Sequence, residues 1–335
     1  MSPPRHANPA SHRRGAALTV VAVTVAVLLL AGIGVTVTRL AFGGDEVASG
    51  CGQGPTQLHV AAAPAIAPVV AELGRDRRIG PDGPGCVDVV VESVDPQAEI
   101  QSLADGTVRP PDVWIPDSTL WLDRAGVERV AKATNAASVA SSPLVLAVST
   151  READRVRGTA TRPTVANLAA IAAGGGSFSV ELSDQRLSPA RVGTILALTK
   201  ATADMPDGRA SLTALIRGAT VSDSSAQERL AILSPTASVG VPVSERDVWV
   251  ARGESSPAQP VAIYAGGVSF DFPFAVLAKD PATISRAQGL FDVLTGATGQ
   301  AALKAAGFRD VHGSAGVVLT ADRGVDGTTT IPPCA

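Results

Sequence analysis

Four points along the chain join a strand-like run to a helix that begins with a proline or a capping residue. They are Ala63-Pro64, Asp95-Pro96, Pro116-Asp117-Ser118 and Ser188-Pro189. The first turn of a helix has backbone N–H groups without intrahelical partners and a partial positive charge. In an α/β sheet, ligands bind beside the carboxyl ends of the strands, where such helices begin. These junctions together predict a small-molecule cleft, although ordinary capping is the alternative explanation of each one.

Motifs for catalysis or for cofactor binding are missing from the sequence. Gly267-Val268-Ser269-Phe270 lacks the closing glycine of a nucleophile elbow. Gly174–Gly176 precedes a strand rather than a helix, which favours a helix stop over a phosphate cradle. The four histidines are not paired at helical spacing, and no cysteine spacing is typical of a metal site. We therefore predict a protein that is not an enzyme and that uses no cofactor and no metal.

The elements that would position the four junctions follow an alternating pattern. Strand-like runs at 58–63, 87–91 and 111–115 each lead into a helical pattern, which predicts an α/β fold with a parallel sheet covered on both faces. Asp95 is expected to cap a helix that runs to about Leu103, and Asp117 to cap the helix Ser118–Arg124. Further strands are predicted at 143–149, 178–182, 261–264 and 273–277, and further helices at 164–173, 188–203, 212–217, 227–233, 282–294 and 299–306. Residues 244–247 resemble a capping box, with Ser244 and Asp247 at its two ends.

The amino-terminal segment differs from the rest of the chain. Gly15–Thr38 is a run of 24 residues without a charge, and it follows a leader that carries three arginines. As a helix this run would be about 36 Å long, enough to cross a hydrocarbon core of about 30 Å. We predict a cytoplasmic leader (1–14), a single transmembrane signal-anchor helix (15–40) and a tether (41–56), with the domain outside the cell membrane. A cleaved signal peptide and lipidation of Cys51 are the alternatives.

Charge and cysteine content restrict the partners and the compartment. Residues 41–335 carry 24 basic and 31 acidic side chains, which disfavours nucleic acid as a partner. In an oxidising compartment, two of the three cysteines are expected to pair. We predict a Cys51–Cys86 disulfide, because each cysteine precedes a predicted strand and parallel neighbouring strands would place both at one edge of the sheet. Cys334 is then left over.

A resemblance to a known family emerges from the order of several segments. Residues 58–64, 100–106 and 111–118 look like the first lobe of type II periplasmic solute-binding proteins, closest to the molybdate/sulfate-type branch. Residues 142–148 resemble the strand at which such chains cross to the second lobe. Residues 261–274 resemble the return segment of an actinobacterial extracellular subgroup, and 299–309 resemble its closing helix. Proteins of that subgroup often continue into a von Willebrand A domain, which has no counterpart here.

The resemblance implies a two-lobed fold with a hinge that closes over a small ligand. It implies a first lobe at 57–142 and 275–321, a second lobe at 143–274, and a tail at 322–335. By position, the ligand-binding residues would be Ala63, Pro64, Asp117, Ser118, Ser183, Ser188, Arg191, Tyr264 and Asp271. Oxyanion binders of this class usually place a hydroxyl residue after the first strand, where this chain has Ala61-Ala62-Ala63-Pro64. That departure and the two aspartates argue against a bare oxyanion, whereas Arg191 argues for an anion.

The function that we expect is capture of a small ligand by a membrane-anchored extracytoplasmic solute-binding protein, without chemistry. The ligand would be delivered to the permease of an ABC-type transporter or reported to an envelope protein. The alternative is an envelope interaction or sensory module, which keeps the fold but binds protein without transporting a ligand. The permanent anchor and the missing hydroxyl residue favour this alternative.

Overall fold

The computed structural model describes residues 55–75, 86–106, 109–125, 136–158, 163–174, 176–183, 188–254 and 257–331. The predicted leader and membrane anchor, and all but the last two residues of the tether, lie outside these ranges, as do Cys51 and Cys334. Among the described residues, no helix combines the length and the apolar character that crossing a bilayer requires.

Strands and helices alternate along most of the described chain. The strands are β1 (Thr56–Ala62), β2 (Val87–Ser93), β3 (Val113–Ile115), β4 (Ser142–Val148), β5 (Ser179–Ser183), β6 (Thr220–Ser222), β7 (Val239–Ser244), β8 (Val261–Phe270) and β9 (Ala275–Val276). The helices are α1 (Ala67–Leu73), α2 (Pro96–Asp105), α3 (Thr119–Arg124), α4 (Thr150–Arg157), α5 (Val165–Ala173), α6 (Pro189–Thr202), α7 (Gly208–Arg217), α8 (Ala226–Ile232), α9 (Glu245–Gly253), α10 (Pro281–Thr295) and α11 (Ala297–Ala305).

The first sheet contains β1, β2, β3 and β9 in the order β2-β1-β3-β9. β1 pairs in parallel with β2 and with β3, as the alternating pattern predicts, and β9 pairs with β3 in the antiparallel sense. β9 comes from the carboxyl-terminal third of the chain, so the chain must return to this sheet after building the second one. Two distant parts of the sequence therefore share the first sheet.

The second sheet has the order β6-β5-β7-β4-β8. β5 is parallel to β6 and β7, whereas β4 is antiparallel to both β7 and β8. Every residue of β4 is buried: Leu146 and Val148 belong to one apolar cluster, and Val145 and Ala147 to another. Since a strand points successive side chains to opposite faces, both faces of the sheet are covered there. This explains why β4 reads as a continuous apolar run rather than as an alternating one.

Two segments carry the chain between the sheets, and they are hydrogen-bonded to each other. The Val139 amide donates to the Phe272 carbonyl at 3.1 Å, and the Phe274 amide donates to the Ala137 carbonyl at 3.0 Å. Ser138 and Pro273 form an isolated antiparallel bridge between these hydrogen bonds. The two crossovers therefore form one narrow, paired connection between the bodies built on the two sheets.

Local capping signals are confirmed at two helix starts. The Asp95 carboxylate accepts hydrogen bonds from the Gln97 amide at 2.9 Å and the Ala98 amide at 3.2 Å, with Pro96 in the first turn. At the start of α9, Ser244 and Asp247 form the reciprocal capping box that their spacing predicts. These interactions depend only on neighbouring residues, which is why sequence alone identifies them.

Two of the helix starts predicted at the cleft junctions are wrong. Ser118, not Asp117, caps α3, because the Ser118 hydroxyl accepts from the Leu120 amide while the Asp117 carboxylate is bonded to the Trp121 indole instead. The first helix begins at Ala67 rather than Pro64, which lies in an exposed turn. At α3 the neighbouring serine takes the capping position, and at α1 a turn over residues 64–66 precedes the helix.

Two elements have no counterpart in the sequence-based expectation. α4 has only Ala153 and Val156 as buried apolar residues, so its inner face carries only two apolar side chains. β7 contains Gly240 and Pro242, which normally argue against an interior strand, yet β7 lies between β5 and β4. The Pro242 carbonyl accepts from the buried Arg229 guanidinium at 3.2 Å. Long-range pairing of this kind overrides the local propensity.

Candidate functional site

A groove of about 820 Å³ lies between the parts of the chain that build the two sheets. Its walls come from the start of α3, from the crossovers, from α6 and from β8. The lining residues are Ser118, Thr119, Leu120, Asp123, Ala136, Ala137, Ser138, Leu196, Ala197, Lys200, Gly266, Val268, Ser269 and Asp271. A cavity of this volume is in the range that holds a small organic ligand.

A smaller cavity of about 100 Å³ adjoins the groove and shares several of its residues. The additional lining residues are Leu144, Pro189, Val192, Gly193 and Phe270. Gly193 allows α6 to approach the second sheet closely, since a Cβ atom there would lie 2.7 Å from both Leu144 and Val268. Most of the residues that line the smaller cavity are apolar, whereas seven of the fourteen that line the groove are polar or charged.

One carboxylate links the return crossover to α3 at the groove. The Thr119 amide donates to Asp271 Oδ1 at 2.8 Å, and the Thr119 hydroxyl donates to Asp271 Oδ2. Ser118, which is buried, caps α3 through its hydroxyl. The polar groups at the start of α3 are therefore held in place by partners within the chain.

Asp117 lies directly before this start and has an unusual protonation equilibrium. Burial raises the pKa of the Asp117 carboxyl to about 7; the hydrogen bond from the Trp121 indole, 2.6 Å long, opposes this rise, and the negative charges of Asp95, Asp247 and Asp271 add to it. A carboxyl group of this kind changes its charge near neutral pH. The charge beside the groove consequently depends on pH.

The start of α6 forms the corresponding junction in the second body. The buried Ser188 hydroxyl accepts from the Arg191 amide at 3.2 Å, and the Arg191 guanidinium donates to the Ser183 carbonyl at 2.8 Å. Pro189 and Val192 line the smaller cavity, whereas Leu196 and Lys200 line the groove one and two turns later. Residues four apart share one helix face, so α6 presents a continuous wall.

The structure places the predicted ligand-binding residues in several different environments. Ser118 and Asp271 line the groove, and Asp117, Ser183, Ser188 and Arg191 flank its two junctions. Ala63 is buried in the core behind β1, where its amide donates to the Ile115 carbonyl at 2.8 Å, and Pro64 is exposed. Ala63 and Pro64 are not among the residues that line either cavity.

Tyr264 belongs to a separate buried network rather than to the groove. Its hydroxyl donates to the Glu245 carboxylate and accepts from the Asp326 amide at 2.6 Å. Burial, together with the charge and hydrogen bond of Glu245, raises the pKa of the Tyr264 phenol. Glu245 in turn is paired with the fully buried Arg309 at 2.7 Å. Tyr264 was predicted from its position in the return segment, but β8 turns its side chain towards α9.

Sequence reasoning missed the residues that form most of the groove surface. Leu196 is 58% exposed although it is a large apolar residue in an ordered helix, and Val268 and Ser269 follow the irregular stretch of β8 around Gly266. The one signal that could have been found is the large apolar residue Leu196 on the same face of α6 as the charged Lys200 four residues later, where a solvated helix face would be polar. Among the described residues, no group of three or more His, Cys, Asp or Glu side chains is arranged to hold a metal ion.

Known proteins share this architecture. Residues 58–309 match the model of a family described as bacterial extracellular solute-binding protein. Similar solved structures include the sulfate-binding protein SubI from Mycobacterium tuberculosis, with 16% identity, a TM-score of 0.54 and coverage of 76% of this chain and 86% of that chain. Iron-bound HitA from Pseudomonas aeruginosa has 15% identity and a TM-score of 0.54, with coverage of 83% and 93% respectively.

A periplasmic thiamin-binding protein is also similar, with 16% identity, a TM-score of 0.54 and coverage of 80% of this chain and 86% of that chain. At these identities the likeness concerns the fold and not the ligand. No curated protein sequence matches the chain. The two-lobed α/β architecture, the groove between the lobes and the family match from residue 58 to residue 309 agree with one another. The chain belongs to the bacterial extracellular solute-binding protein family and has the type II two-lobed fold.

Proposed function

We propose that this protein captures a small solute outside the cytoplasm by closing its two lobes over the groove. The observation that carries the proposal is the groove itself, which takes its walls from α3 of one lobe and from α6 and β8 of the other. A ligand that contacts both walls stabilises the closed arrangement more than the open one, so binding shifts the population towards closure. The paired crossovers at 136–142 and 270–275 are the proposed hinge.

The proposal includes an organisation of the whole chain. Residues 57–142 and 275–308 would form the first lobe and 143–274 the second, with residues 15–40 as a single-pass membrane anchor. The sequence-based first lobe ran to residue 321, but Leu319 packs with Val145 and Val241 of the second sheet. Cys86, which is buried directly before β2, is disulfide-bonded, and we propose Cys51 as its partner. The parallel pairing of β1 with β2 supports this choice, because it places the chain that leads to both strands at one edge of the sheet.

The ligand-binding surface that we propose is smaller than the sequence-based set. Ser118 and Asp271 remain in it, and Thr119, Leu120, Leu196, Val268 and Ser269 are added. Asp117, Ser183, Ser188 and Arg191 act through their neighbours, because they hold the starts of α3 and α6. The family consists of binding proteins, and the ABC-transporter components among similar structures support a membrane permease as the recipient of the ligand.

The direct test is calorimetric titration of the purified chain with sulfate, molybdate, ferric citrate, thiamin, glucose and a mixture of amino acids. We expect one class to bind and to reduce the radius of gyration measured by small-angle X-ray scattering. Leu196→Glu should weaken that binding about tenfold, because it places a charge on an apolar wall. Ile232→Glu is the matched control, since Ile232 is 78% exposed on α8, which does not line the groove.

Two results would contradict capture of a solute. The first is a complete lack of binding by every class together with an unchanged radius of gyration. The second is isolation of a stable complex with an envelope protein that Leu196→Glu disrupts in the absence of any small molecule, which would favour the interaction-module alternative.

A further inference from the structure

The hydrogen-bond donors of Thr119 at the groove are already in use. Both the amide and the hydroxyl of Thr119 donate to Asp271, so a carboxylate of the chain itself occupies the position of an anionic ligand. The Ser118 and Ser188 hydroxyls cap their own helices. The Arg191 guanidinium is directed to the Ser183 carbonyl. An oxyanion that uses the two Thr119 donors would have to displace Asp271 in order to bind.

The charges on the groove walls also disfavour an anionic ligand. Asp123 on α3 and Lys200 on α6 line opposite walls and offset each other in charge. Asp271 is then the remaining charge, and a carboxylate has about four acceptor positions, of which Thr119 occupies two. Asp271 can therefore accept further hydrogen bonds from a ligand, whereas a negative ligand would be repelled.

The rest of the surface suits an apolar molecule with at least one hydrogen-bonding group. Leu120, Leu196 and Val268 form the apolar parts of the wall, and the same three residues continue into the smaller cavity. Ser269 lines both spaces, and its hydroxyl oxygen is buried and has no hydrogen-bond partner in the described part of the chain. A buried hydroxyl without a partner costs free energy, which a ligand group could offset.

We propose that the groove binds an organic cation, with its apolar body against Leu120, Leu196 and Val268 and its protonated amine at the free acceptor positions of Asp271. This inference rests on the proposed function and names the ligand class for the same groove. The Ser269 hydroxyl would accept from, or donate to, a second polar group on the ligand. Inorganic oxyanions are the class that this arrangement disfavours most.

Three naphthalene probes that differ only in their head group test the inference on the full chain: 1-naphthylmethylamine, 1-naphthalenemethanol and 1-naphthoate. Binding is measured by equilibrium dialysis at pH 7, with sulfate and molybdate as calorimetric references. We expect the amine to bind about tenfold more tightly than the carboxylate, with the alcohol between them. In Asp271→Asn, which keeps the size of the side chain, this preference should fall to about twofold or less.

The control variant Asp292→Asn removes the same charge from an exposed position on α10, and the head-group preference should remain. Leu196→Glu should weaken the binding of the alcohol. The alcohol is the probe for this variant because it carries no charge that the new carboxylate could attract.

Tighter binding of naphthoate, sulfate or molybdate than of the amine would overturn the cation inference, while the proposed capture of a solute would stand. Equal binding of amine and alcohol would also overturn it. If no probe binds but another solute does, the inference fails alone, and if nothing binds at all, the proposed function fails with it.

Discussion

At the scale of single residues, the site is defined by carboxylates whose partners lie within the chain. Asp271 is bonded to Thr119, and Asp117 is bonded to the Trp121 indole. The same residue type is thus held in two different ways: Asp271 is aligned with the groove, whereas Asp117 lies behind α3, where burial favours its neutral form. The two carboxyl groups differ because of their solvation and not because of their positions in the sequence. Burial penalises the charged form of a carboxyl group.

Asp117→Asn should make the stability of the protein less dependent on pH. The pKa of Asp117 rises from 3.8 to about 7 on folding, so between these values the native state binds more protons than the unfolded state. Stability is then lost as the pH rises through this window. We expect the variant to be about as stable as the original at pH 4 and more stable by at least about 1 kcal/mol at pH 8.

Urea denaturation at pH 4, 6 and 8 measures this difference. Asp204→Asn, at an exposed position in a turn, is the control and should show no such trend. A stability gain for Asp117→Asn that is equal at all three pH values would contradict the assigned cause.

At the scale of elements, α6 is the helix that shapes the groove. Its buried face includes Gly193, Ala197 and Leu198, and its outer face leaves Leu196 and Lys200 exposed to the groove. Small residues at 193 and 197 let the helix lie close to β4 and β8, and this closeness determines the position of Leu196. The packing of one helix face thus fixes what the other face offers to a ligand.

Gly193→Val should therefore disturb both packing and binding. The new Cβ atom would lie 2.7 Å from Leu144 and from Val268, so one of these side chains or the helix must shift. We expect a loss of about 1–3 kcal/mol in the free energy of unfolding, as is usual for overpacking. Thr199→Val, on the exposed face of the same helix, should stay within about 0.5 kcal/mol of the original in the same urea titration. A Gly193→Val protein of unchanged stability would show that α6 is not held closely to the sheet.

At the scale of the whole molecule, Arg309 connects parts that are far apart in sequence. Its guanidinium donates to Glu245 at the start of α9 and to the carbonyls of Gly313, Asp326 and Thr329. Its backbone pairs with Ser141 beside the first crossover. Both Arg309 and Glu245 are fully buried. One residue thus ties the carboxyl-terminal segment to the second sheet close to the proposed hinge.

Arg309→Met should be strongly destabilising, because it leaves the Glu245 carboxylate and several carbonyl groups buried without partners. Breaking one side of a buried pair costs about 3–5 kcal/mol. The double variant Glu245→Gln with Arg309→Met should cost less than the sum of the two single changes. Guanidinium denaturation measures the free energy of unfolding of each variant.

Arg157→Met is the control. It removes an exposed ion pair with Asp154 and should cost less than about 1 kcal/mol. Equal costs for Arg309→Met and Arg157→Met would contradict this account.

The α/β class and most helix starts could be predicted from the residue pattern, and the two-lobed organisation from the resemblance to a family. Apolar runs of four to seven residues, proline at a first helical turn and serine or aspartate caps act over a few neighbouring residues, as at Asp95 and Ser244. Their physical cause is local, so it is present in the order of the amino acids. The order of segments also indicated the family correctly.

The surface that faces the ligand was decided by the tertiary structure. Tyr264 and Asp271 lie seven residues apart in the return segment, yet Tyr264 bonds to Glu245 and Asp271 bonds to Thr119 in the first lobe. Which partner each side chain finds depends on the irregular pairing of β8 and, for Asp271, on a contact with a residue 152 positions away. The sequence by itself determined which segments fold into strands and helices, because those forces act locally. Only the packing of the two lobes decided which side chains meet at the groove, because that depends on distances between residues that the sequence keeps far apart.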